Sequence, residues 1–203
     1  MSLTEQARTI LYAWVQAESL RKHCESVAAS MHYAAQQQGA DPDLWQAVGL
    51  LHDMDYEQYP NPNLDYEQYP NPNLDQSGHP FIGVAYLREH GWSEEVCRAI
   101  LSHANYANVA RLSPMEKTLF AVDELSGFVT AVTLVRPDKN VAGVKVSSVK
   151  KKLKDKAFAA KVSREDIEQG AAELGVSLDA LIELVIAALQ AESERLGLAG
   201  TSA

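Results

Sequence analysis

The stretch Asp41-Pro42-Asp43-Leu44-Trp45-Gln46-Ala47-Val48-Gly49-Leu50-Leu51-His52-Asp53 decides the fold class. Asp41 is an N-cap residue, and Pro42 stands at the first helical position, where its missing N–H costs nothing. Leu44, Trp45, Val48 and Leu51 recur at helical spacing, so one apolar face runs the length of the segment. That helix carries the chain straight into His52-Asp53. Adjacent residues at a helix end point about 100° apart, so an imidazole and a carboxylate are offered to neighbouring edges of one site.

Outward from this segment the pattern stays helical. Upstream, Ile10, Leu11, Trp14 and Val15 make a first face; Leu20, Cys24, Val27, Ala28, Met31, Ala34 and Ala35 make a second, stopped at Gly39. Downstream, a fourth helix is expected from His79-Pro80 to Gly91 and a fifth from Ser93 to about His103. Ser113-Pro114-Met115-Glu116 is a capping box that opens a sixth, expected to run to Val135. A basic segment, Val144 to Val162, precedes helices capped by Ser163 and Ser177. The last of these is expected from Leu178 to about Leu196, ended by Gly197 and followed by a frayed tail. No stretch sustains period-two alternation. The expectation is an all-α protein, one domain over 1–203, with a core of about 1–136 and C-terminal helices of about 144–197.

With 27 acidic against 18 basic residues, the net charge of −9 argues against a nucleic-acid or anionic-membrane binder, because phosphate backbones and anionic lipids require basic surface. No apolar run approaches the roughly 18 residues of a membrane span. The N-terminal MSLTEQARTI lacks a signal-peptide pattern, so a cytoplasmic location is expected. Two cysteines, Cys24 and Cys97, make neither a disulfide framework nor a cysteine zinc site. One local oddity stands out: DYEQYPNPNL occurs at Asp55 to Leu64 and again, letter for letter, at Asp65 to Leu74. Two ten-residue copies are too short for a solenoid and read as a tandem duplication in a loop.

Six histidines are present. His23 and His103 lie on the apolar faces of their helices, and His52 ends the third. Asp123 is in mid-helix beside Leu119 and Phe120, with Ser126 and Gly127 leaving room. A lone carboxylate buried there costs several kcal/mol, on the order of a buried charge, unless a cation neutralises it. His32 is about 180° around the helix from His23, and His90 suits a helix C-terminus, so both are read as structural.

Taken together, His23, His52-Asp53, His79, His103 and Asp123 match the order H…HD…H…H…D, and the chain resembles the HD-domain superfamily of metal-dependent phosphohydrolases. The segments that carry the likeness to small bacterial and archaeal HD proteins are Leu50 to Glu57, His79-Pro80, Ala99 to His103, Ala121 to Leu125 and Val149 to Ala160. The resemblance implies a helical core holding metal between helices. It implies a first metal ligated by His23, His52, Asp53 and Asp123, with Asp53 as the bridge, and a second site completed by His79 and His103. Four imidazoles and two carboxylates suit Mn, Fe, Co, Ni or Zn better than Mg or Ca.

Hydrolysis of a small phosphate ester or nucleotide is the expected activity, with Asp53 catalytic and a small phosphorylated molecule as the partner. A dianionic substrate also needs cations or donors; the candidates are Lys22, Arg136, Lys145 and Lys150, with Asp55 and Tyr56 of the DYE segment. Glu124, about 100° from Asp123, is expected to support the ligands or pack beside them rather than to be a ligand itself. Two other readings stand: a di-iron HD oxygenase, which uses the same six ligands, and a non-catalytic HD signalling module. Both copies of the repeat contain DYE, and the sequence does not say which is the insert. Lying between His52-Asp53 and His79, the repeat is expected at the site rim, where it modulates substrate range.

Overall fold

The structure is a computed structural model that describes residues 1–60 and 76–200. Ten α-helices and two short 3-10 turns make up the described residues, and the only β pairing there is an isolated bridge between Asn140 and Ala199. The all-α expectation holds. None of these helices is long and apolar enough to cross a membrane.

The first three helices are α1 (Leu3–Trp14), α2 (Glu18–Gln38) and α3 (Pro42–Leu51). Ser2 caps α1 in a capping box with Glu5, and Asp41 caps α3 through the amides of Asp43 and Leu44. Gly39, in the left-handed conformation at φ 66°, ends α2. The α2 and α3 backbones touch: a Cβ on Gly49 would lie 2.6 Å from Ala28 Cα. That contact is what brings His23 on α2 within reach of His52 at the end of α3.

Next come α4 (Phe81–Glu89), α5 (Glu94–His103) and the 21-residue α6 (Pro114–Leu134), whose capping box is the one read from Ser113 and Glu116. The α2–α6 seam is polar as well as apolar. Ser30 and Ser126 hydroxyls lie 2.8 Å apart in full burial, and Thr130 reaches Ser26. Buried hydroxyls must be paired, and this pair fixes the register of the two helices that carry His23 and Asp123.

The C-terminal part comprises α7 (Val146–Leu153), α8 (Arg164–Leu174), α9 (Leu178–Ala191) and α10 (Ser193–Leu196). The single last helix expected to Leu196 is broken at Glu192, whose φ of −113° is not helical. The break turns α10 so that Arg195 meets Glu25 on α2, a buried carboxylate also held by Arg8 at 2.8 Å. Of the tail after Gly197, Leu198 is buried and its carbonyl accepts from the Val141 amide at 2.9 Å, while the last three residues, expected to fray, lie outside the described residues. Helix α8 lies directly on α6, with a Cβ on Gly170 only 2.5 Å from Ala121 Cα. That approach makes α8 the far wall of the cleft described next.

Candidate metal centre

Five helix segments bring six side chains to one point. Asp53 sits at its middle with its two oxygens facing different neighbours. Oδ2 lies 3.6 Å from both His23 Nε2 and His52 Nε2, while Oδ1 lies 3.3 Å from His79 Nε2 and 3.6 Å from His103 Nε2. Asp123 Oδ1 closes the first group, 3.0 Å from His23 Nε2 and 3.3 Å from His52 Nε2. The result is two three-residue groups, His23-His52-Asp53 and Asp53-His79-His103, each compact enough to hold one metal ion and sharing the aspartate.

The donor set fits metal for a reason in the ring nitrogens. His52 Nδ1 is 2.8 Å from Gly49 O, and His103 Nδ1 is bonded to Ile100 O. A carbonyl only accepts, so both Nδ1 atoms carry the proton, and in the neutral rings Nε2 presents a lone pair. His23 Nε2 and His52 Nε2 then lie 3.2 Å apart. The His52 lone pair there takes either a proton from His23 Nε2 or a cation shared with it. Fixing the distal nitrogen and leaving Nε2 for the ion is the usual construction of histidine metal ligands. His79 repeats it with a carboxylate: its Nδ1 donates to Asp55 Oδ1 at 2.7 Å.

The electrostatics agree. Burial alone would push the His52 imidazole down, but the Asp53 and Asp123 charges outweigh it and hold it up to about 9. Asp53 and Asp123 are likewise buried, which favours the neutral acid, yet His52 and its neighbours hold both well below the ordinary carboxylate range. Protonated imidazole between two carboxylates is the charge pattern that a divalent cation replaces. Burial pushes the Cys24 thiol well up, so it takes no part, and Cys97 is also buried and unpaired in any disulfide.

Around the cluster opens a cleft of about 940 Å³. One wall is the cluster itself with Tyr56 and Tyr106; the other is α8 and the turn before it, contributing Lys161, Ser163, Glu165, Asp166 and Gln169. Glu124, expected to support or pack beside the ligands rather than to be one, lines the cleft because α8 packs on that side of α6, and it belongs to neither three-residue group. Burial, then Asp123 and Asp166, push its carboxyl up to about 8. Asn105 bonds Asp166 at 3.0 Å and thereby ties the end of α5 to α8.

The expected substrate contacts distribute differently. Tyr56 lies in the cleft, nearly half exposed, with its ring edge-on to His79 at 5.3 Å. Asp55 does not line it: the side chain is buried, bonded to His79 and to the Gly83 amide at 2.6 Å, and so orients a ligand. Gly83 permits this, since a Cβ there would lie 3.0 Å from the Asp55 carboxyl. None of the four expected cations lines the cleft. Lys22 pairs with Glu18 at 3.0 Å, Arg136 with Asp138 at 2.9 Å and Lys150 with Asp179 at 2.6 Å, while Lys145 is the N-cap of α7. Lys161 and the α8 residues were not singled out from sequence; only their approach in space marks them. His32 bonds Gln36, and His90 stacks on Tyr86 at 3.8 Å, both outside the cleft.

The repeat is divided by the structure. Asp55, Glu57 and Tyr59 of the first copy are built in: Glu57 accepts from the Gln16 and Ala17 amides ahead of α2, and Tyr59 O accepts from the His79 amide at 2.7 Å. The second copy, 65–74, and the last four residues of the first lie outside the described residues.

Comparison with known proteins adds one match. The family model for the HD domain matches residues 20–127, a span that contains all six clustered residues. No curated protein is similar enough to count as a match.

Proposed function

The chain belongs to the HD domain family, a metal-dependent hydrolase type, and we propose that this member hydrolyses the phosphate ester of a small molecule. The observation that carries the proposal is Asp53, with one oxygen toward His23 and His52 and the other toward His79 and His103. A carboxylate shared in this way suits a pair of divalent ions such as Mn, Fe, Co, Ni or Zn, with His23, His52, Asp53 and Asp123 at one and Asp53, His79 and His103 at the other. When bound, such ions supply a water-derived nucleophile at neutral pH and offset phosphoryl charge.

The chain's own residues do the rest. Gly49 O, Ile100 O and Asp55 hold three imidazoles in the orientation that exposes Nε2. The His52 and Asp53 side chains are largely withdrawn from solvent, at 0% and 15% exposure, which strengthens every charge interaction made there. Tyr56 and Phe120 give the leaving group apolar surface. A cytoplasmic, small-molecule role accords with the acidic composition.

The test is metal analysis of the purified protein followed by a panel of phosphomonoesters with each of the five metals. Turnover of at least one ester, abolished by chelation and by Asp53→Ala, is the expected result. Oxygen consumption with iron and no ester cleavage with any metal would replace this reading with the oxidative one.

A further inference from the structure

The cleft is unevenly charged. Its lining carries the carboxylates of Asp53, Asp123, Glu165 and Asp166, with the Glu124 carboxyl held largely neutral, and a single lysine or arginine among the described residues, Lys161. Asp53 and Asp123 belong to the cluster, where bound metal would answer them. Glu165 and Asp166 stand on the α8 wall beside Lys161 with no second cation near them in the lining. An anion can therefore approach this cleft at one place, between the cluster and Lys161.

Lys161 is also presented by a segment built to hold it. Arg164, four-fifths of the way along the chain, donates from Nη1 to Ala159 O and Val162 O, both at 2.7 Å, and from Nη2 to Asp155 O and Phe158 O. Four carbonyls of the turn 155–162 converge on one guanidinium, which itself lies over the Phe128 ring at 5.1 Å. Phe128 meets Phe158 edge-on at 5.4 Å, pinning the turn to α6. Ala159 accepts a φ of 45° within it, a conformation a side chain rarely adopts. While the backbone is held, the Lys161 side chain makes no ion pair among the described residues, unlike Lys150 and Lys152 of the same basic segment, which are paired with Asp179 and Asp155.

We propose that Lys161 receives the phosphoryl group across the cleft from the histidine and aspartate cluster, and that Glu165 and Asp166 beside it restrict substrates to monoesters whose leaving group bears no second anionic charge. Lys161 is a substrate-binding residue: its ammonium pairs with a phosphoryl oxygen that the cluster does not face, and it takes no proton in the reaction. The two carboxylates accept hydrogen bonds from leaving-group hydroxyls and repel a second phosphate or a carboxylate. This inference rests on the phosphohydrolase reading for its substrate, and on the cleft alone for its anion site.

The experiment uses the full metal-loaded chain and inorganic phosphate as probe, with Lys161→Met, Lys161→Arg and, as a control for net charge, Lys156→Met. Loss of a charge-assisted contact is expected to weaken phosphate binding, by calorimetry or as a competitive inhibitor, by about tenfold or more in Lys161→Met. KM should rise with it while kcat changes little, metal content should stay constant, and Lys161→Arg should restore most of the affinity. Phosphate binding equal in Lys161→Met and the parent overturns the assignment. In the second arm a hexose monophosphate is compared with the corresponding bisphosphate; kcat/KM lower by about tenfold or more for the bisphosphate is expected, and this bias should shrink in the Glu165→Gln, Asp166→Asn double variant. Equal efficiency toward the two esters overturns the charge restriction. If no ester is cleaved by the parent, the hydrolase reading falls, and calorimetric phosphate binding with or without the lysine still decides the anion site.

Discussion

The two walls of the cleft are built on different principles. In the cluster wall each bonded imidazole is fixed by a partner close in sequence or deeply buried: Gly49 for His52, Ile100 for His103 and Asp55 for His79. In the α8 wall the backbone is held, by Arg164 and by the Gly170 contact, while Lys161, Glu165 and Gln169 are exposed side chains. A rigid first wall suits chemistry, where a misplacement of about 1 Å is costly. An exposed second wall suits recognition, since its side chains change without disturbing the core.

The sharpest break is at Asp53, the residue both groups share. Asp53→Ala should lower activity on the order of a thousandfold and remove bound metal, read by elemental analysis beside turnover. Retained metal with lost turnover would leave the aspartate catalytic but not a ligand. Asp55→Ala strikes the support of one ligand only and should cost about 10- to 100-fold in metal affinity or activity. Gly170→Leu acts on the other wall: by forcing α8 off α6 it should destabilise the fold by about 1–3 kcal/mol and raise KM, with metal content unchanged. If metal is lost as well, the walls are not independent.

Acid and base test the cluster without mutation. In the metal-free protein the His52 pKa stands at about 9, raised from 6.5, so its contribution to stability is fully present below about 6.5 and disappears as pH rises through about 9. Metal competes with that proton, so the rise in melting temperature on adding metal should grow across the same window. Asp53 and Asp123 act oppositely: their contribution, present above the ordinary 3.8, is lost as pH falls toward their depressed values. The smallest effect is expected from deleting Asp65 to Leu74. Shortening the connection between His52-Asp53 and His79, Met54 to Gly78, from 25 to 15 residues alters closure entropy by less than about 0.6 kcal/mol, and the anchors Asp55, Glu57 and Tyr59 remain. Melting should scarcely move, and a changed ester preference would assign the repeat to substrate range.

Much of this was legible in the residues. N-caps at Asp41, Ser93, Ser113, Ser163 and Ser177 mark five helix starts, since their side chains accept from the first free amides. His23 and His103 on apolar faces, His52-Asp53 at a helix end and Asp123 in mid-helix were legible one by one, while His79 and the set of six came from the resemblance to the HD-domain pattern. The break at Glu192 was not legible, because the contact it permits, Arg195 on Glu25, is with a partner 170 positions away. Nor was Asp55 distinguishable from a substrate contact: its two bonds are to His79 and Gly83, across the repeat.

By itself, then, the sequence determined the helical class and five of the caps, because periodicity and capping are local, and through its resemblance to the HD-domain pattern it pointed to six side chains as candidate metal ligands. Only the tertiary structure decided that Asp53 faces two groups at once, that the first copy's Asp55 serves as a brace, and that Lys161 rather than Lys22, Arg136, Lys145 or Lys150 enters the cleft. The first depends on the α2–α3 contact at Gly49 and Ala28, the second on the close approach of Gly83 to Asp55, and the third on where α8 lands on α6 through Gly170 and Ala121, each a contact between residues with no local signal to connect them.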